Sequence, residues 1–286
     1  MASPQAAALT VAMMVGVAFL NAADAVIVRA LAGQVHPFMI GFFRAAFGLM
    51  FMLPWILRRV DMAASPYRGL HVVRAGLKLM SLIALFIAYQ RAPLPDVTAI
   101  VFSLPLFVML GAWLFLAERL DGAKLVALAL GLAGMGIVIQ PGGQGFDPML
   151  ALALAGAALT ASIQLILKRM GQRDTSDRLV AWNLACMTVL GLGLAAMVWQ
   201  TPTGWQLALL LAQGGLGVLN QALVTHALRL SDASFVGPLD FIRLPAVALL
   251  AWLFFDQTAT AATWIGAALI LLGVVVAARG AHRRAG

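Results

Sequence analysis

Five ionisable side chains fall inside otherwise apolar stretches of this 286-residue chain: Asp24, Arg44, Lys78, Asp240 and Arg243. A charge near the centre of a bilayer costs about 3 kcal/mol or more, so such residues face a partner, a water-filled cavity or a ligand. The two carboxylates can meet an amine, or carry a proton where desolvation raises their affinity for it. The three bases can meet a carboxylate. Spacing adds detail. Asp240 and Arg243 stand three residues apart and share a helix face. They either neutralise each other or present both signs to a zwitterion. At a rise of about 1.5 Å per residue, Asp24 and Arg44 both lie roughly 10 Å deep from the same membrane surface. They either lock a helical hairpin or line a substrate or proton path. Lys78 joins them or snorkels outwards along its aliphatic stem.

Uncharged polar side chains extend this set. Asn21 shares a face with Asp24, and Tyr89, Gln164, Trp182 and Asn183 lie within other apolar runs. The expected substrate-binding residues are therefore Asn21, Asp24, Arg44, Lys78, Tyr89, Gln164, Trp182, Asn183, Asp240 and Arg243, with Asp24 and Asp240 as proton-coupling candidates. For each neutral residue the alternative is hydrogen bonding between helices. Catalysis is not expected. The chain has no H-E-x-x-H, no G-x-S-x-G, no clustered metal ligands and no Walker motif. Its one cysteine, Cys186, excludes an internal disulfide. No metal and no cofactor is expected.

The elements that position these residues are membrane spans. Hydrophobic residues make up 63% of the chain and charged residues 10%, too little polar surface for a water-soluble globule. Runs of about 20 apolar residues suit helices across a bilayer. Breaks at charged, Pro or Gly clusters give ten: Ala7–Val28, Phe38–Leu57, Leu70–Tyr89, Val97–Leu116, Lys124–Ile139, Met149–Leu167, Leu179–Trp199, Trp205–Leu228, Ala233–Phe255 and Ala262–Ala278. The first reads as a retained span, not a cleaved signal, because it lacks a basic lead-in. The net charge of +8 fits basic loops on one membrane face, so nucleic acid is not expected as a partner. That face collects Arg58, Arg59, Arg68, Arg74, Arg119, Lys124, Lys168, Arg169, Arg173, Arg178, Arg229, Arg279, Arg283 and Arg284, against Arg29 and Arg91 opposite. The positive-inside rule places both termini in the cytoplasm. Small residues at helical spacing, such as Gly41 with Ala45 and Ala127 with Gly131, suit close helix packing.

The spans form two sets. Ala112-Trp113-Leu114-Phe115-Leu116 returns 139 residues later as Ala251-Trp252-Leu253-Phe254-Phe255, and Gly134 returns as Gly273. Five spans per copy is an odd number, so the second copy enters the membrane from the opposite side. The expected fold is all-α and polytopic, with ten transmembrane helices as two five-helix inverted-topology repeats. Residues 1–143 form the first and 144–286 the second. Inverted repeats of this kind are common among transporters.

Ten short spans, a five-plus-five repeat and an acidic residue closing the fourth span resemble the drug/metabolite transporter superfamily, most closely its EamA family. Pro105, the run Ala112–Leu120 with Glu118, and then Gly131 and Gly134 look like that family's proline-to-acidic motif and Gly-rich helix. Pro37 and Arg44 resemble its second span. The second copy departs from the pattern, with Asp256 where Glu is usual. The resemblance implies a secondary transporter in a bacterial inner membrane. It would export a small organic metabolite by alternating access, either proton-coupled or facilitative. An amino acid is the favoured cargo, and the aromatic amino acid exporters are a neighbouring group. A multidrug or cation exporter of the same superfamily, or a metabolite channel, is the alternative. The partners are the small-molecule substrate and the lipid bilayer, with monomer and homodimer both open.

Overall fold

The computed structural model describes residues 4–116, 122–140, 147–230, 236 and 239–285. The helices are α1 (Pro4–Ala30), α2 (Pro37–Arg59), α3 (Arg68–Arg91), α4 (Leu94–Val101), α5 (Leu104–Leu116), α6 (Gly122–Ile139), α7 (Pro148–Met170), α8 (Ser176–Ala196), α9 (Gly204–Leu230), α10 (Arg243–Phe255) and α11 (Ala261–Ala285). A 3-10 turn, Asp240–Ile242, leads into α10. Among the described residues, eight helical segments are long and apolar enough to cross a membrane, with α4 and α5 together counting as one. The turn with α10, and α11 with its apolar part Ala261–Ala277, complete ten spans.

Helix boundaries obey the repeat. Pro37 and Ser176, Leu104 and Arg243, and Gly122 and Ala261 open equivalent helices, each pair 139 residues apart. The local signals differ between the copies. The His36 imidazole Nδ1 accepts from the Phe38 amide at 3.2 Å, and Pro37 at the first turn forfeits no helical bond. The equivalent start of α8 is capped by the Thr175 hydroxyl, which accepts from the Arg178 amide at 3.3 Å.

The fourth span departs from the continuous helix expected over Val97–Leu116. It stops at Val101 and restarts at Leu104, and the ninth span is interrupted by its 3-10 turn at the equivalent place. The cause is local: Pro105 and Pro245 sit at the restarts and supply no N–H to a carbonyl one turn earlier. At the first break the Ser103 amide and hydroxyl both donate to the Ile100 carbonyl, at 2.9 Å and 2.6 Å.

The extensive contacts run between the halves and exchange under the repeat. α1 packs on α9 as α7 packs on α3. α2 packs on α9 as α8 packs on α3, and α1 on α10 as α7 on α4 and α5. Two contacts pair an element with its own counterpart, α2 with α8 and α6 with α11, while α4 packs on α10, the counterpart of α5. The α6–α11 seam is the tightest in backbone approach. A Cβ at Gly134 would stand 2.6 Å from the Gly266 carbonyl oxygen, and one at Gly273 would stand 2.7 Å from that of Ala127. Small residues there let the backbones meet, as the Ala127 and Gly131 spacing suggests. Gly134→Leu is therefore expected to force α6 from α11 and cost about 1–3 kcal/mol or more. Thermal unfolding in detergent measures this, and a wild-type midpoint for the variant contradicts the seam.

Candidate functional site

Asp24 of α1 and Arg44 of α2 meet: the guanidinium Nη1 donates to the Asp24 carboxylate. About a fifth of each side chain remains accessible (22% and 19%), so the pair is not sealed into the core. The Arg44 guanidinium is held on two further sides. Its carbon stands 6.0 Å from the Phe86 ring centre. A Cβ placed on Gly217 of α9 would touch it at 3.4 Å, so the bare glycine leaves room for it.

Lys78 and Tyr89 link the other interior charges electrostatically to this pair. Lys78 of α3 is half-buried and lies within the fields of Arg44 and Arg74. Tyr89, at the far end of α3, lies beside Thr98 and within the fields of Arg243, Asp24 and Asp240. Asp240 and Arg243 approach to 3.7 Å, a loose pair with 39% of the Asp240 side chain accessible. The Arg243 guanidinium carbon stands 5.0 Å from the Phe102 ring centre, and Phe102 stacks on Phe241 at 4.2 Å. These aromatic residues sit at the breaks of the fourth and ninth spans, so interrupted helices from both halves meet at the charges. Transporters commonly build binding sites from such helices. Asn21 lies half-buried one turn before Asp24.

Three of the expected residues are employed elsewhere or locally. Gln164 is exposed and lines a lateral cavity of about 390 Å³ with Lys124, Lys168, Pro105 and Met109. Trp182 belongs to the basic face: its indole N–H donates to the Met62 carbonyl at 3.0 Å, and its ring stacks on His71 at 5.1 Å. Asn183 donates to the Met187 sulfur of its own helix at 3.2 Å. Glu118, the acid of the resemblance motif, lies outside the described residues.

Each membrane face is tied by its own network. On the face opposite the basic loops, Arg29 donates to the carbonyls of Gln90 at 2.8 Å and Ala92 at 3.2 Å, fastening α1 to the α3–α4 junction. There the Leu94 amide donates to the Gln257 side-chain carbonyl at 3.0 Å, and the Thr263 hydroxyl donates to the Asp96 carboxylate. On the basic face, Ser65 and His71 converge on Asp174, a residue the sequence places among loop acids. The Ser65 hydroxyl donates to Asp174 Oδ2 at 2.7 Å and His71 Nε2 lies 3.0 Å from the same oxygen. Arg178 donates to Oδ1 at 3.0 Å and to the Asp61 carbonyl at 2.8 Å. Neither the His71 nor the Asp174 side chain has accessible surface. Burial pushes the Asp174 carboxyl up, yet hydrogen bonds from Ser65, Arg178 and His71 outweigh it and hold it below the usual carboxylate range.

One buried polar residue escaped the sequence reading. Gln213 of α9 has no accessible surface, and neither its Nε2 nor its Oε1 finds a hydrogen-bond partner among the described residues. Each such group costs about 1–3 kcal/mol. The repeat could have flagged it, because Gln213 stands 139 residues after Arg74, which is also buried, has an unpartnered Nε among the described residues, and donates to the Leu179 carbonyl.

Comparison with known proteins agrees with this architecture. A crystal structure 21% identical in sequence shares the fold with a TM-score of 0.62, the match covering 99% of this chain and 100% of that one. A riboflavin transporter of Rhizobium johnstonii is 34% identical over 246 residues, 85% of this chain and 81% of its own. An S-adenosylmethionine uptake transporter of Rickettsia bellii is 26% identical over 254 residues, 88% of this chain and 87% of its own. These relatives carry names of heterocyclic metabolites where the sequence reading leaned towards amino acids. The model of the EamA-like transporter family matches residues 8–140 and again 148–279. The chain is a membrane transporter, not an enzyme, and it belongs to the EamA-like transporter family.

Proposed function

We propose that this transporter moves a neutral, flavin-like heterocyclic metabolite across the bacterial inner membrane by alternating access. The observation that carries the reading is the gathering of Asp24–Arg44, Lys78, Tyr89 and Asp240–Arg243 between the halves, beside stacked Phe102 and Phe241. Aromatic faces suit a planar ring, and Arg44, Lys78 and Tyr89 can hydrogen-bond its carbonyls and hydroxyl tail. The similarity to the Rhizobium riboflavin transporter supports this cargo over amino acids. Support for alternating access comes from unequal halves: α1 touches α3, whereas among the described residues their equivalents α7 and α9 make no comparable contact. The positive-inside rule applied to the basic loops supports cytoplasmic termini. Asp24 is engaged by Arg44, which leaves the more exposed Asp240 as the better proton-coupling candidate. A zwitterionic cargo is the second reading, favoured by the paired signs of Asp240 and Arg243.

Counterflow in proteoliposomes tests the proposal. Saturable exchange of labelled riboflavin, with amino acids failing to compete, is the expected result. Exchange of amino acids with no response to riboflavin transfers the assignment to the zwitterion reading. Flux that never saturates and shows no counterflow assigns the chain to the channels.

A further inference from the structure

Gln213 carries a free recognition group. Its amide is fully buried and lacks partners among the described residues at both ends. It precedes Gly217 by one turn on the same face of α9, about 6 Å along the helix. Gly217 is the residue on which the Arg44 guanidinium rests. The Gln213 side chain therefore flanks the central charges from the end nearer Arg29. The other repeat repeats the register: Arg74 stands where Gln213 does, and Lys78 where Gly217 does. Each half thus places one buried polar side chain a turn away from the central charges.

A primary amide has a particular complement. It offers one donor and one acceptor side by side, which match the N–H and C=O of an imide or lactam edge. A carboxylate cargo needs two donors, and an ammonium only acceptors. We propose that Gln213 contacts the substrate and reads the imide edge of a neutral heterocycle when α9 parts from α1 and α2. The choice of substrate class rests on the flavin-like reading above. The buried amide in the closed arrangement is then the same group that becomes paired once substrate is held.

Counterflow with riboflavin and with N3-methylriboflavin, whose imide N–H is blocked, separates the outcomes. Wild-type protein is expected to show a KM at least about 10-fold lower for riboflavin, the scale of one lost hydrogen bond to a buried group. Gln213→Leu raises the riboflavin KM to that of the methylated analogue, leaves kcat within about twofold, and unfolds at a higher temperature because the orphaned amide is gone. Gln213→Met, closer in shape, behaves alike and covers a folding failure of the leucine variant. Wild-type KM and wild-type discrimination in either variant would make Gln213 a packing residue and overturn the proposal while the flavin reading stands. Absence of riboflavin transport by the wild type overturns the flavin reading and the imide assignment with it.

Discussion

Neutralising both members of the central ion pair, as Asp24→Asn with Arg44→Gln, is expected to leave a folded protein that has lost transport by about 100-fold or more. The reasoning separates two costs. Removing one partner alone strands a charge in a low-dielectric setting, at about 3–5 kcal/mol for a buried pair. The lower end applies here, since about a fifth of each side chain stays accessible. Asp24→Asn or Arg44→Gln alone should therefore lower the unfolding midpoint as well as flux. The double variant removes the stranded charge, and neutral replacement of a buried pair is often nearly neutral for stability. Its unfolding midpoint should return towards wild type while counterflow does not. The guanidinium lies over Gly217 and near Phe86, at the contact between α2 and α9, where the halves meet. A pair that merely locked the α1–α2 hairpin would allow the stable double variant to transport at the wild-type rate, and that result would exclude a role in the substrate path.

Depth in the membrane was legible in the sequence; direction around each helix axis was legible only in part. Counting residues from the ends of apolar runs put Asp24 and Arg44 at one depth, and they do pair. The three-residue spacing of Asp240 and Arg243 put them on one face, and they approach to 3.7 Å. The copied Ala-Trp-Leu-Phe segment located equivalent helices that begin exactly one repeat apart. Trp182 and Gln164 show what hydropathy leaves open. Both lie in apolar runs, but the Met62 carbonyl holds one at the basic face and the other lines a lateral cavity. The interruption at Phe102–Ser103 has no hydropathic trace because apolar residues continue through it; Pro105 was its signal. Asp174 belongs to a loop, a setting in which charges are normally solvated. Here the loop is drawn beneath the start of α3 by Ser65 and His71, a long-range contact that no local pattern announces.

Asp174→Asn is expected to cost about 3 kcal/mol at neutral pH, comparable to breaking a buried ion pair, since it weakens three hydrogen bonds at once. The residues left behind are Ser65, His71 and Arg178, and the contact between the α2–α3 loop and α8 loosens with them. The pH dependence gives the sharper signature. The folded-state carboxyl is held below its ordinary range, so its stabilisation is present above the unfolded value, about pH 4, and is lost as the pH falls through the folded value. Wild-type unfolding temperature should therefore fall more steeply on acidification below about pH 4 than that of Asp174→Asn, and the two curves should converge. Parallel curves would mean that Asp174 gains nothing from its partners. The cluster lies two turns of α3 away from Lys78, on the basic face, so Asp174→Asn protein that survives reconstitution should keep the wild-type KM. A raised KM at unchanged protein quality would instead join this cluster to the transport cycle.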